Sequence, residues 1–458
     1  MKRFRILISA FVAVFMSFGA FAQTPKYVFL FIGDGMGFNQ VYATHMYNEA
    51  FGAEDVNFFG FPEFRLVTSF SASSLVTDSS AAGTALASGV KTGNGMLGVY
   101  PDKTPVVTIS ELAKSKGFAA GVVTSVGINH ATPASFYGKA ESRNMYDLIS
   151  GQLIESDLDF AAGAAFLVKD KDKYSNAYWI DEAKKAGITV FEGKNAYKPT
   201  KGRVIYLENV GEESLAYAID RKEGRVALAD FTAAAIDHLY AASKKGFFLM
   251  VEGGKIDYAC HATDAATAVH EVNDMAESVQ LALEFAAKHP KETLIIVTAD
   301  HETGGLTIGA GSYEFSPKNL QNQKCSKDVL TSHLLDLTRK EEIVSWGAVK
   351  QVLREDLGFW DTVEVSDKFE KQLTQLYKET YLDGIRDEEK NLYSSNAKIA
   401  SAAVKYIDSG VARAQFSFGS HSGAPVPMWA YGASAVSFRD CKDNTDIFNT
   451  IVKVARYK

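Results

Sequence analysis

Asp257 and His261 stand four residues apart in Ile256-Asp257-Tyr258-Ala259-Cys260-His261, so on a helix both side chains leave one face a single turn apart. That geometry suits two ligands of one cation, although a pair at this spacing is more commonly an exposed helix contact. Asp300-His301 is more telling. It follows the apolar run Leu294 to Thr298, and an ionisable pair at the end of a buried strand has to be solvated or coordinated. Ser79 follows Asp78 and opens an alanine-rich stretch, Ser80-Ala81-Ala82-Gly83-Thr84-Ala85. Thr77 or Asp78 caps that helix, and its amino end favours an anion or alkoxide at Ser79. The bland reading is an N-cap and nothing more. A serine hydroxyl is a weak nucleophile until something activates it, and a coordinated metal is one such activator.

These residues need a scaffold that brings them together. Short apolar runs rich in β-branched and aromatic residues alternate with amphipathic segments, the βαβα rhythm of a mostly parallel sheet covered by helices. Tyr27 to Ile32, Ala119 to Thr124, Phe247 to Val251 and Leu294 to Thr298 are the clearest strands. Three of them end in acids and glycine: Gly33-Asp34-Gly35, Glu252-Gly253-Gly254, and Asp300-His301 before Gly304-Gly305. Ligands of open α/β sheets collect at the carboxyl ends of strands, so three carboxylate-bearing ends point to a cation site. The central acid of Gly33-Asp34-Gly35-Met36-Gly37 would repel a pyrophosphate, which argues against a dinucleotide loop.

The expected fold is α/β, a large mostly parallel central sheet with helices on both faces, over residues 23–458. From about Lys318 to Ala414 the pattern changes to charged amphipathic helices, with apolar spacing such as Phe369, Leu373, Leu376 and Tyr377, and this stretch reads as a helical insertion. At the amino end, Lys2, Arg3 and Arg5 precede an uncharged stretch from Ile6 to Ala22 that closes on Ala20-Phe21-Ala22. Residues 1–22 thus read as a signal peptide cleaved after Ala22, giving a periplasmic or secreted protein with no membrane partner after cleavage.

The 458 residues hold 48 Lys and Arg against 55 Asp and Glu, a net charge of −7, and no basic patch that would attract nucleic acid. Hydrophobic and charged contents of 47% and 22% exclude a disordered or coiled-coil chain. Three cysteines, Cys260, Cys325 and Cys441, allow at most one disulfide, with Cys325 to Cys441 the expected pair. Cys260 reads as a small apolar residue. His45, His238, His270, His289 and His333 match no ligand motif, and His270 with Asp274 reads as a helix-surface or structural pair.

Taken in order, six segments resemble the alkaline phosphatase family: Phe31-Ile32-Gly33-Asp34-Gly35-Met36-Gly37; Thr77-Asp78-Ser79-Ser80-Ala81-Ala82 with Gly89-Val90-Lys91-Thr92-Gly93-Asn94-Gly95; Ala131-Thr132-Pro133-Ala134 followed by Arg143; Val251-Glu252-Gly253-Gly254-Lys255-Ile256-Asp257 with His261; Thr298-Ala299-Asp300-His301; and Gly419-Ser420-His421-Ser422-Gly423. Six ordered motifs are far more specific than any one of them.

The resemblance implies two zinc ions and one magnesium. Asp257, His261 and His421 would hold one zinc; Asp34, Asp300 and His301 the other, beside Ser79; Asp34, Thr132 and Glu252 the magnesium. The donor types agree, since imidazole and carboxylate suit zinc while carboxylate and hydroxyl oxygens suit the harder ion. Arg143 would hold two phosphate oxygens, oriented by Asp78. Ser79 would attack phosphorus between zincs about 4 Å apart and pass through a phosphoserine. The implied substrates are small-molecule phosphate monoesters of broad range, and dimers are common in the family, so a homodimer is the implied assembly.

Some positions depart from the family pattern. Ser80 falls where alanine is usual, which leaves two adjacent serines, and counting from Asp78 selects Ser79. His130 and Tyr258 flank the third metal and the phosphate at positions where family members vary; Tyr258 brings no positive charge, and a neutral His130 is a potential ligand. The other readings are a related phosphodiesterase, a sulfatase, and a non-catalytic metal or phosphate binder. Arg143 would crowd a second ester group, Ser79 lacks the Pro and Arg signature of sulfatases, and a binder needs no nucleophile.

Overall fold

The computed structural model describes residues 23–53, 55–208, 213–311, 313–340, 343–382 and 389–458. The expected signal peptide therefore lies outside the described residues. Among those described, no helix is long and apolar enough to cross a membrane.

Nine strands build one sheet: β1 (Tyr27–Gly33), β2 (Glu63–Val67), β3 (Ala119–Thr124), β4 (Phe160–Gly163), β5 (Thr189–Glu192), β6 (Val204–Leu207), β7 (Phe247–Gly253), β8 (Thr293–Ala299) and β9 (Val426–Gly432). Their order across the sheet is β2-β9-β8-β1-β7-β3-β4-β6-β5. All neighbours are parallel except β9, which runs antiparallel to both β8 and β2. The four strands read from the sequence are β1, β3, β7 and β8. Every residue in each of them is buried, which is why they read as continuous apolar runs rather than alternating ones.

Register sets the height of the functional ends. Gly33 of β1 lies opposite Gly253 of β7 and Ala299 of β8, so the three strands stop level and Asp34, Glu252 and Asp300 emerge at one edge. The turn after β1 requires glycine. Gly35 has φ +67°, and a Cβ there would sit 2.7 Å from Asp257 Oδ1 and 2.8 Å from Thr303 Oγ1.

The helices used below are α1 (Phe38–Phe51), α2 (Ser79–Ser88), α3 (Lys255–His261), α4 (Ala265–Lys288), α5 (Lys327–Lys340), α6 (Trp346–Leu357), α7 (Asp367–Tyr381) and α8 (Glu389–Lys405). Helices α5 to α8 assemble around an apolar cluster of their own. Leu334, Leu353, Phe359, Phe369, Leu373 and Ile399 meet there, together with Ala43 of α1 and Val269 of α4. Phe369 stacks on Tyr406 with centroids 4.0 Å apart, and Phe369, Leu373 and Tyr377 occupy the buried face of α7.

Two expectations need correction. Cys260, Cys325 and Cys441 are all free and buried, and the expected Cys325–Cys441 bridge does not form. Cys325 belongs to the helical cluster and Cys441 to the core of the sheet, where its Sγ lies 3.6 Å from Thr450 Oγ1. Sequence spacing carries no information on the Cα separation a disulfide demands. His270 and Asp274 do not pair either: Asp274 is buried against Arg221, and His270 packs on the ring of Tyr47.

Candidate metal centre and active site

Asp34, Glu252, Asp300 and His301 are fully buried at the carboxyl edge of β1, β7 and β8. Asp257 and His261 come from the first turn and the end of α3, which starts just after β7. His421 arrives from far along the chain because His421 and Ser422 pair antiparallel with Thr303 and Glu302, the residues that follow His301. The rings of His301 and His421 stack 3.6 Å apart.

At the outer end, His261 Nε2 lies 3.2 Å from Asp257 Oδ2 and 3.2 Å from His421 Nε2, and His421 Nε2 lies 3.8 Å from Asp257 Oδ1. The other nitrogen of each ring faces a backbone carbonyl: His261 Nδ1 to Gly419 O at 2.9 Å, His421 Nδ1 to Thr77 O at 3.0 Å. A carbonyl only accepts, so Nδ1 carries the proton and Nε2 presents a lone pair when the ring is neutral. Two lone pairs and a carboxylate converge on one point, which calls for a proton or a metal cation. The hydrogen bond with Asp257 accordingly raises His261 to about 9. Burial pushes the Asp257 carboxyl up, but His261, His301 and His421 outweigh it and hold it below the usual range.

Deeper in, His301 Nε2 lies 3.2 Å from Asp34 Oδ1, 3.4 Å from Asp300 Oδ2 and 3.2 Å from Ser79 Oγ. Asp300 Oδ1 accepts from the Gly35 and His301 amides. Burial lowers His301 to about 4, so the ring is a neutral donor of electrons at ordinary pH. Burial and the neighbouring Asp257 lift Asp300 to about 6, and burial with the Asp300 charge lifts Asp34 well above its ordinary value. Asp34 Oδ2, Asp300 Oδ2, Glu252 Oε1 and Thr132 Oγ1 are buried without a hydrogen-bond partner. Buried oxygens of this kind cost free energy unless a donor or a cation meets them, and the donor set fits divalent cations.

A third group joins Asp34, Glu252 and His130, with one donor atom from each within 4.8 Å of the others. Burial raises Glu252 to about 7. Burial and the Arg143 charge lower His130 to about 3, and its Nδ1 has no hydrogen-bond partner. Tyr258 stands between Asp257 and His261 on α3, its ring 6.1 Å from that of His130.

Ser79 is the first residue of α2, and Asp78 is its N-cap, accepting from the Ala81 amide at 3.0 Å. The two adjacent serines part ways: Ser79 Oγ faces His301, whereas Ser80 Oγ donates to Asp78 Oδ2 at 2.8 Å. Asp78 Oδ2 also takes Arg143 Nη1 at 3.1 Å, while Arg143 Nη2 lies 3.2 Å from His130 Nε2. Burial would raise the Asp78 carboxyl, yet Arg143 and the Ala81 amide hold it low, so the tether stays ionised.

All thirteen residues singled out in the sequence lie in or beside this cluster. Thr303 and Thr124 were missed. Thr303 Oγ1 donates to Asp257 Oδ1 at 2.5 Å and lies 3.2 Å from His301 Nδ1, joining the two imidazole–carboxylate groups. Thr124 Oγ1 donates to Glu252 Oε2. Position alone could have flagged Thr303, two residues beyond His301; nothing in the sequence marks Thr124.

The α/β fold gathers at one edge of its sheet groups of carboxylates and imidazoles that could hold metal ions. A family model described as alkaline phosphatase matches residues 25–161 and 176–457. Alkaline phosphatase 4 of Bacillus subtilis is 33% identical over 83% of this chain and 77% of its own length. The crystal structure of a cold-active alkaline phosphatase from a psychrophilic Shewanella is similar with a TM-score of 0.78 and 28% identity, over 94% of this chain and 99% of that one. A TAB5 alkaline phosphatase mutant, histidine replaced by aspartate and Mg bound in its M3 site, is similar with a TM-score of 0.67 and 27% identity, over 95% and 99%. The chain belongs to the alkaline phosphatase family, and it is an enzyme of the phosphoric monoester hydrolase class.

Proposed function

We propose that the enzyme hydrolyses phosphate monoesters of broad range through a phosphoserine at Ser79. Asp257, His261 and His421 hold one zinc; Asp34, Asp300 and His301 hold a second. Asp34, Glu252 and Thr132 hold a third cation, taken as magnesium, and His130 stands close enough to add an imidazole. When bound, the two zincs supply Lewis-acid stabilisation of the attacking and leaving oxygens of an in-line displacement. The observation that carries the reading is Ser79 Oγ at 3.2 Å from His301 Nε2, beside the orphaned oxygens of Asp34 and Asp300.

The chain's own groups divide the work. The amino end of α2 favours negative charge on Ser79 Oγ as its proton leaves. Oγ bonds to phosphorus while the ester P–O bond breaks, and the leaving oxygen takes up a proton in place of the one Ser79 gave up, so that the alcohol departs. Water then cleaves the Oγ–P bond and returns the proton to Ser79, releasing inorganic phosphate. Arg143, seated on Asp78, grips two phosphoryl oxygens with its planar fork, where it would crowd a second ester group. The same reading takes the chain as exported after cleavage at Ala22, and the mass of the mature amino terminus checks that point.

Zinc- and magnesium-loaded protein should release phosphate from p-nitrophenyl phosphate and act far more slowly on bis-p-nitrophenyl phosphate. Ser79→Ala should abolish the trapped phosphoenzyme and nearly all turnover while keeping its zinc by elemental analysis. Full turnover in that variant would place the nucleophile elsewhere.

A further inference from the structure

Away from the catalytic cluster, Cys325, His333 and Asp356 each bring one donor atom to within 4.8 Å of the other two. They come from three separate places: Cys325 just before α5, His333 nearly two turns into α5, and Asp356 in the last turn of α6. The backbones already hold these places together, since the Lys324 amide donates to the Asp356 carbonyl at 2.9 Å. His333 Nδ1 lies 2.8 Å from Asp356 Oδ2, with the His333 side chain 48% exposed and that of Asp356 15%. The trio is thus closed on the protein side by a buried sulfur and open to solvent at the imidazole.

The surroundings favour a cation. Burial pushes the Cys325 thiol up, and the charges that act on it after burial are Asp356, Asp220 and Asp264, all negative. A lone histidine–aspartate contact on a surface is commonplace, and a buried thiol alone is inert. Three donors of three chemical types on one point, in a negative field and with an open side, are a different matter.

We propose that Cys325, His333 and Asp356 form a second, separate site for a zinc-class divalent cation, which ties the start of α5 to the end of α6. Sulfur with imidazole and carboxylate selects zinc or its transition-metal neighbours over magnesium and calcium, which want oxygen alone. Binding converts the thiol to thiolate and releases its proton to solvent, so the cation meets two negative ligands and one neutral ring. Bonds of ~2.0 Å to nitrogen and oxygen and ~2.3 Å to sulfur space tetrahedral donors by about 3.3–3.5 Å, so the His333–Asp356 contact opens slightly and water takes the fourth position.

Cobalt(II) tests this in the full chain, because thiolate bound to cobalt absorbs in the near ultraviolet and the Asp/His cluster has no sulfur ligand. Metal-stripped protein titrated with cobalt should develop that absorption, and Cys325→Ser should abolish it while keeping the visible bands of cobalt in the catalytic cluster. After zinc loading, Cys325→Ser and the exposed-side variant His333→Ala should each carry one zinc fewer than the unsubstituted protein and still turn over p-nitrophenyl phosphate. Absence of a thiolate band in the cobalt-saturated protein, or a band or zinc count unchanged by either substitution, would overturn the site.

Discussion

At the scale of single residues, the cluster turns on which atoms lack a partner. Arg143 is fixed at one nitrogen by Asp78, the residue before Ser79, and at the other by His130. Each charge-assisted hydrogen bond contributes about 1.5–3 kcal/mol, so Arg143→Ala should lower kcat/KM by on the order of 10²-fold and weaken inhibition by inorganic phosphate, with Arg143→Lys recovering only part. Unchanged phosphate inhibition would remove Arg143 from the substrate site. Glu252 carries a pH signature. Its folded value of about 7 lies above the ordinary carboxyl value, so in metal-free protein the stability it contributes is fully present below the unfolded value and is lost as pH rises through about 7. Between about pH 5 and pH 8, chelated wild type should lose stability relative to chelated Glu252→Gln by on the order of 1–3 kcal/mol in urea unfolding. Parallel pH profiles would refute the assignment. Asp34, Glu252, Asp300 and His301 were legible because ionisable groups at the ends of apolar runs have few other reasons to be there, whereas His421 and His130 were reached only through the family resemblance. Thr303 and Thr124 were not, since a hydroxyl that orients a carboxylate looks like any other threonine. The Cys325–Cys441 expectation failed because two cysteines far apart in sequence say nothing about their distance in space.

At the scale of elements, the sheet was legible through β1, β3, β7 and β8, whose burial on both faces leaves long apolar runs with polar residues confined to their ends. The short strands β4, β5 and β6 lack that length of signal, and β9 gives no sign in the sequence that it runs against its neighbours. The register that levels Gly33, Gly253 and Ala299 is also invisible in one dimension, yet it is what sets Asp34, Glu252 and Asp300 side by side. The turn at Gly35 follows from it. Alanine there must hold φ +67° and push its Cβ against Asp257 Oδ1 and Thr303 Oγ1. Backbone strain of this kind costs about 1–3 kcal/mol before any clash is counted. Gly35→Ala should therefore lower both the melting temperature and the zinc content, because the atoms it displaces are those that join the two imidazole–carboxylate groups. A variant that melts lower but binds zinc as before would show that the turn matters to folding alone.

At the scale of the whole molecule, the cluster gathers Asp34, Ser79, His130, Glu252, Asp257, Asp300, His301 and His421 from segments spread along nearly the full described chain. Four of them are buried carboxylates, and those of Asp34, Glu252 and Asp300 keep their protons more tightly than in water because burial strips them of solvent and neighbouring carboxylates repel their charge. Ions bound only by the folded state stabilise it by mass action, about 2.7 kcal/mol per site when the free ion stands at a hundred times its dissociation constant. Cations at this edge would link β1, β7, β8, α2 and α3 with the late segment that carries His421. Chelation should accordingly lower the melting temperature by several degrees, and zinc should restore it. Ser79→Ala should keep the zinc-dependent rise, because it removes the nucleophile and none of the proposed ligands. Asp300→Asn and His421→Ala should shrink it, each by taking a donor from a different zinc. If the protein melts at one temperature with and without metal, the edge of the sheet is held together by the chain alone, and the proposed division of the cluster into cation sites fails with it.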